Sequence, residues 1–241
     1  MISKYVESAS SFSGDIDSLI WLVTVIVGFW FFLAEGILLY LIVRYTAQDG
    51  VKGKYIAGED PKEKRWVAWP HYLTLGFDVW IIVAAIQVWQ NVKQTMPQAD
   101  ETVRVIAQQW AWTFIHPGAD GKLDTPDDIR LVDELHVEKG KTYHFELQSR
   151  DVLHSFSVPV FRLKQDIIPG RTIRGWFKPT QTGGYDIQCT EICGIGHALM
   201  PARVLIESPE DHAAWVLSQT PAAASLAPSE TVPSTQLGGM P

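Results

Sequence analysis

The chain has 241 residues, 46 % of them apolar, with a mean hydropathy close to zero at +0.03. A formal net charge of −7 argues against nucleic acid as a partner and favours a basic one. These averages hide a split: apolar residues concentrate before Asn91, and the rest is composed like a water-soluble domain.

Residues 19–43 (LIWLVTVIVGFWFFLAEGILLYLIV) form an almost unbroken apolar run whose only acidic or basic side chain is Glu35. About 20 such residues span a bilayer core. A second run, 72–89 (YLTLGFDVWIIVAAIQVW), is just long enough to span and contains Asp78. A buried core helix is the alternative for each. A cleaved signal peptide fits the first run less well, because no basic region leads into it and no small-residue cleavage site follows. Arg44, Lys52, Lys54, Lys62, Lys64 and Arg65 lie between or beside the runs, whereas the N-terminal segment offsets Lys4 with Glu7, Asp15 and Asp17. The positive-inside rule therefore places the connecting loop in the cytoplasm and both chain ends outside. Some of the ten Trp suit the membrane interface.

From Glu101 the pattern changes to short alternating runs separated by Gly, Pro and Asp-rich turns. TVRVIAQQWAWTF and LVDELHVEKGKTYHFELQS each read as one or two strands, followed by SFSVP, IRGWFKP, GYDIQC and ARVLIES. Short strands at this spacing predict a β-sandwich or Greek-key barrel. One short helical pattern follows, near 209–217. The tail from Ala222 is rich in Pro, Ala, Ser and Thr and reads as disordered. The expected organisation is an external segment at 1–18, a helical hairpin with a cytoplasmic loop at 19–90, an exported domain at 91–220 and a disordered tail at 221–241.

The chemistry concentrates in CTEICGIGHALM, which brings Cys189, Cys193, His197 and Met200 within a dozen residues. Two Cys in an exported domain would ordinarily suggest a disulfide, which explains neither His197 nor Met200. Soft sulfur with imidazole points to copper, zinc or iron–sulfur chemistry. A structural zinc site needs a fourth strong ligand, which Met is not. An iron–sulfur cluster commonly takes four Cys, and the chain has two. Met beside Cys and His favours copper. A mononuclear blue site needs one Cys, so the second is a surplus, and two thiolates can bridge two copper ions. Such a site calls for another His. His154, in RDVLHSFSVP, sits near a strand start; His116, His136 and His144 are less well placed. Alone, a strand His is an ordinary surface or core residue, but beside the Cys-Cys-His-Met cluster it becomes a ligand candidate.

Over most of its length the chain resembles subunit II of haem–copper respiratory oxidases, the cytochrome c oxidase group. CTEICGIGHALMP is similar to that family's binuclear copper loop. DVLHSFSVP followed by LKQDIIPGR is similar to the segment carrying its first ligand His, and QQWAWTF to its aromatic segment for electron entry. The resemblance implies an α+β membrane protein: a two-helix transmembrane hairpin, then a cupredoxin-like Greek-key barrel or sandwich. It implies that Cys189 and Cys193 bridge two coppers (the CuA centre), with His154 and Met200 completing one ion. His197 and the backbone carbonyl of Glu191 would complete the other. The Glu191 side chain would reach a magnesium ion at the boundary with subunit I, and Trp110 would receive electrons from a cytochrome c donor. Trp112 reads as packing. Hydrogen bonds from Asp151 or Asp166 would orient the ligands.

The implied function is electron entry into a membrane-bound terminal oxidase, whose oxygen-reducing haem lies in subunit I among other oxidase subunits. A CuA-containing nitric oxide reductase subunit and a free-standing cupredoxin carrier are the alternatives. Two stretches depart from the family pattern. Asp120, Asp124, Asp127 and Asp128 in IHPGADGKLDTPDDI are spaced like calcium ligands, and an acidic solvated hairpin is the plainer reading. At the entry to the second helix, KEKRWVAWPHYLTLGFDVW holds Glu63 but not the local motif that admits protons in many family members.

Overall fold

The computed structural model describes residues 7–53 and 55–219, so Lys54, the first six residues and the expected disordered tail from 221 lie outside the described residues. The chain divides into two compact units. The first takes the residues up to Pro97 together with Pro159–Arg162, and the second takes the remainder.

In the first unit α1 spans Ser13–Arg44 and α2 spans Pro61–Trp89, extended by one π-helical turn at Gln90–Gln94. Both helices are long and apolar enough to cross a membrane. They meet where Trp30 packs edge-on against Phe77, with ring centroids 5.8 Å apart. α2 begins well before its apolar run. Asp60 caps it by accepting a hydrogen bond from the Lys62 N–H at 2.7 Å, and Pro61, with its fixed φ, starts the first turn. The stretch carrying Lys62, Lys64 and Arg65 is therefore helical rather than loop. Glu35 and Asp78 are both exposed on the helix surfaces. Acids at such positions are costly to place in lipid and usually face a partner or water.

The second unit is a sandwich of two five-stranded sheets. The strands are β1 Glu101–Gln108, β2 Ala111–His116, β3 Ile129–Val132, β4 Glu134–Glu138, β5 Tyr143–Ser149, β6 His154–Val158, β7 Leu163–Ile167, β8 Ile173–Phe177, β9 Gly183–Cys189 and β10 Pro201–Glu207. One sheet has the order β3-β2-β1-β5-β8 and the other β4-β10-β9-β6-β7. Most pairs are antiparallel; β1 with β5 and β10 with β4 are parallel. The helical hairpin and the two-sheet, cupredoxin-like sandwich match the fold class expected from the sequence.

One strand boundary shows how the sandwich closes. The run LVDELHVE divides at Asp133, whose φ of 59° is left-handed, so β3 and β4 belong to opposite sheets. The Asp133 carboxylate accepts from the Trp112 N–H at 2.9 Å, and its own N–H donates to the Trp112 carbonyl at 3.0 Å. Asp and Asn tolerate this conformation better than other residues with a side chain, and here both sides of the corner are tied to β2. Between the sheets pack Trp112, Phe114, Phe145, Phe156 and Phe177, all fully buried. Phe156 touches Trp112, Phe114 and Phe145 at ring distances of 5.7 to 6.4 Å. β6 is buried at every position, which explains why HSFSV lacks an alternating pattern.

The short helix α3, Pro209–Gln219, packs on β4 and β10 through Trp215. His136 stacks on that indole at 4.2 Å and His212 at 5.3 Å, and His116 meets it edge-on at 5.1 Å. The Glu207 carboxylate takes Nδ1 of His136 at 2.7 Å and Nδ1 of His212 at 2.9 Å. His116 is buried with neither ring nitrogen hydrogen-bonded.

Candidate metal centre

β9 ends at Cys189 and β10 begins at Pro201, so the residues between them form one loop at an end of the second sheet, between two interior strands. Cys189 pairs across the sheet with Phe156 of β6, two residues along from His154. This register brings a histidine 35 residues away in sequence to the cysteine loop. Nδ1 of His154 lies 3.9 Å from Cys189 Sγ, and the two sulfurs are 3.8 Å apart. Nδ1 of His197 is 3.6 Å and Sδ of Met200 3.9 Å from Cys193 Sγ. The Glu191 carbonyl is 3.3 Å from Cys189 Sγ.

Both cysteines are free, and ligand atoms of His154, Cys189 and Cys193 all lie within 4.8 Å of one another. Burial, followed by the hydrogen bond and charge of Cys189, pushes the Cys193 thiol up to about 11. Without a metal the Cys193 thiol therefore keeps its proton at neutral pH, and a cation binding that sulfur must release it. The donor set of two thiols, two imidazoles, a thioether and a carbonyl is soft and mostly buried. It suits copper better than a hard cation.

The supporting hydrogen bonds discriminate between the two acids expected to orient the ligands. Asp151 Oδ1 accepts from His154 Nε2 at 2.9 Å, which turns Nδ1 toward sulfur. Its Oδ2 accepts from the Gln109 N–H at 2.6 Å. Partial burial works against the charged form of Asp151. Hydrogen bonds from His154, Gln109 and Val152 overcome it and hold the carboxyl below its ordinary range. Asp166 lies instead 3.6 Å from Lys164 on the surface. Trp112 does more than pack: its indole N–H donates to the Met200 carbonyl at 3.1 Å, fixing the loop where the thioether sits. Removing a partner that orients a metal-binding His commonly costs about 10–100-fold in affinity. Asp151→Ala should therefore weaken copper binding by that factor in a chelator-competition titration of the full chain, while the sandwich stays folded.

Residues 126–208 match the family model described as cytochrome c oxidase subunit II, periplasmic domain. An alternative cytochrome c oxidase subunit 2 of Bradyrhizobium diazoefficiens is 32 % identical over 231 residues, covering 86 % of this chain and 80 % of that protein. This chain belongs to the cytochrome c oxidase subunit 2 family. Cytochrome c oxidase subunit 2 of Cereibacter sphaeroides is 27 % identical over 239 residues, covering 87 % of the chain and 77 % of the relative. The crystal structure of the periplasmic domain of subunit II of cytochrome oxidase of Bradyrhizobium japonicum is 30 % identical with a TM-score of 0.47, covering 52 % of this chain and 96 % of that one. Family membership makes the protein a subunit of a haem–copper terminal oxidase, a membrane protein with a periplasmic domain and a candidate copper site in it.

The remaining candidate residues of this subunit II fall in two places. Trp110, 36 % exposed, lies in the β1–β2 turn against the cysteine loop. The four acids of the 118–128 loop are all engaged, three within the loop and Asp124 also with β1. Asp124 forms a bidentate pair with Arg104 at 2.7 and 3.0 Å. Asp127 accepts from Thr125 Oγ1 at 2.6 Å, Asp128 accepts from the Asp124 N–H at 3.1 Å, and Asp120 accepts from the Lys122 N–H at 2.8 Å. A calcium ion would have to displace the Arg104 pair, and no cluster of the four is poised for a metal among the described residues.

Proposed function

We propose that this chain is the electron-entry subunit of its oxidase. It takes electrons singly from a cytochrome c type donor at a binuclear CuA centre and passes them toward haem in subunit I, where oxygen is reduced. The observation that supports this best is the convergence of His154, Cys189, Cys193, His197 and Met200 at one largely buried spot beneath an exposed indole. Cys189 and Cys193 would hold both ions, with His154 and Met200 completing one and His197 and the Glu191 carbonyl the other. Such a copper pair would supply a site over which the transferred electron is shared, lowering the reorganisation it requires. The chain's own residues supply the geometry and the exclusion of water. Asp151 holds the His154 ring, and Trp112 holds the Met200 backbone. The Glu191 side chain is the proposed ligand to a magnesium ion at the subunit I boundary. The cations between the two apolar runs support a cytoplasmic connection, with both chain ends and the copper domain on the periplasmic side.

Trp110 is the proposed point of entry. Trp110→Leu in the assembled oxidase should slow donor-limited turnover by about tenfold or more, since misplacing a reacting group costs orders of magnitude. Copper content and its spectrum should be retained. Unchanged turnover under donor-limited conditions would move electron entry elsewhere on the surface.

A further inference from the structure

Trp110 is held in place by more than its own packing. The residue before it, Gln109, donates its side-chain amide to the Cys193 carbonyl at 2.8 Å. Its backbone N–H is bound by Asp151, which also binds His154. The β1–β2 turn is thus hydrogen-bonded to both segments that carry the ligand residues. Against the indole lie two glycines with different reasons for being glycine. Gly194 has a φ of +125°, which demands glycine on backbone grounds alone. Gly196 has φ −88° and ψ 10°, open to other residues. What Gly196 lacks is room: a Cβ there would lie 2.4 Å from Trp110 Cδ2 and 2.7 Å from Cε3. Gly196 is buried by the indole, leaving the ring in direct contact with the backbone between Cys193 and His197.

We infer that Gln109 is a positioning residue that locks the Trp110 ring onto the 193–197 loop, and that Gly196 is glycine to make the bare backbone surface on which the ring lies. This rests on Trp110 as the point of electron entry, and it adds how the ring is kept at contact distance. A tryptophan in a solvent-facing turn has rotamer freedom to lose. The Gln109 hydrogen bond ties the turn to the cysteine loop, and the bare backbone at Gly196 then packs against the ring, restricting that freedom without touching a ligand atom.

The test uses the full chain labelled with 5-fluorotryptophan. The Trp110 fluorine resonance is assigned by its loss in Trp110→Phe. In Gln109→Ala and in Gly196→Ala that resonance should move toward its free-solvent position and gain a solvent isotope shift. A resonance that stays in place in both variants overturns the positioning role, whatever the electron-transfer rates do. In the assembled oxidase, Gln109→Ala should slow donor oxidation about tenfold, with copper content and hyperfine pattern unchanged. In a Trp110→Leu background the same substitution should have no further effect, because a residue acting only through Trp110 is non-additive with it. Additive losses would show Gln109 acting on the donor directly, and an altered copper signal would show it acting through the ligands; either overturns the inference. If Trp110→Leu alone changes nothing, the electron-entry reading fails, and the fluorine resonance still decides the positioning.

Discussion

Loaded with copper, the full chain is expected to hold two ions and to give an EPR hyperfine pattern with more lines than one nucleus can produce. Cys189→Ser or Cys193→Ser is expected to abolish it. The expectation rests on the sulfurs standing 3.8 Å apart, each beside its own imidazole. A thiolate held by both ions would be lost to each, so removing either one should dismantle both halves of the proposed site. Serine oxygen is a hard, weakly acidic replacement that does not restore a soft ligand. His197→Ala should be less severe, because the thiolates and His154 remain. Either cysteine variant should keep the sandwich intact, since Phe114, Phe145, Phe156 and Phe177 are all fully buried between the sheets and none is replaced. A wild-type chain binding a single copper, with a one-nucleus pattern that survives in one of the serine variants, would replace the binuclear site by a mononuclear one.

The parts of this site that could be read from the sequence are those that lie close together along it. Cys189, Cys193, His197 and Met200 share one loop, and their residue types alone point to soft-metal chemistry. His154 is singled out by the site's need for another imidazole and by its place at a strand start, but its approach depends on β6 pairing with β9, a register that alternation cannot specify when every position of β6 is buried. Asp151 and Asp166 were equal candidates in the sequence, and only the fold separates them: one faces His154 and the other pairs with Lys164. Gln109 carried no signal at all. Its role depends on a hydrogen bond to a carbonyl 84 residues away. The indole of Trp112 is a similar case, since alternation marks it as buried but does not say that its N–H meets the Met200 carbonyl 88 residues on.

The fold follows the same division. The two apolar runs and the alternating runs are local patterns, and helices and strands appear in them; β7, Leu163–Ile167, is not among the expected strands, and LVDELHVEKGKTYHFELQS, read as one or two strands, holds parts of three. The division of LVDELHVE between two sheets is not local. It turns on Asp133 adopting φ 59° while bound to Trp112, and the same letters could equally have continued one strand. The start of α2 was also hidden, because the Lys and Arg that mark the loop charge belong to a capped first turn.

A second large effect is expected from pH, and it comes from His116. The ring is buried among His136, His212 and Trp215 with both nitrogens unpartnered. Burial, reinforced by His136 and His212, lowers its pKa to about 3. In the unfolded chain an ordinary histidine titrates near 6.5. Above that value neither state binds the proton, and His116 leaves stability independent of pH. As pH falls below it, the unfolded chain takes up a proton that the folded one refuses, so stability is lost progressively down to the folded pKa. One unit of difference is about 1.4 kcal/mol, so by pH 4 the loss from this group is about 3 kcal/mol. Burial also lowers the pKa of His212, which works in the same direction, while Glu207 opposes it by favouring the charged ring. His116→Phe keeps a ring against Trp215 and removes two orphaned polar atoms. Denaturant unfolding of the periplasmic sandwich in the detergent-solubilised full chain, followed through tryptophan fluorescence, should then show equal or higher stability than wild type at pH 7. The variant's stability should fall more gently with acid, and its lead over wild type should widen by about 3 kcal/mol between pH 7 and pH 4. A constant difference across that range would mean that His116 finds a proton acceptor in the folded protein and does not set its acid limit.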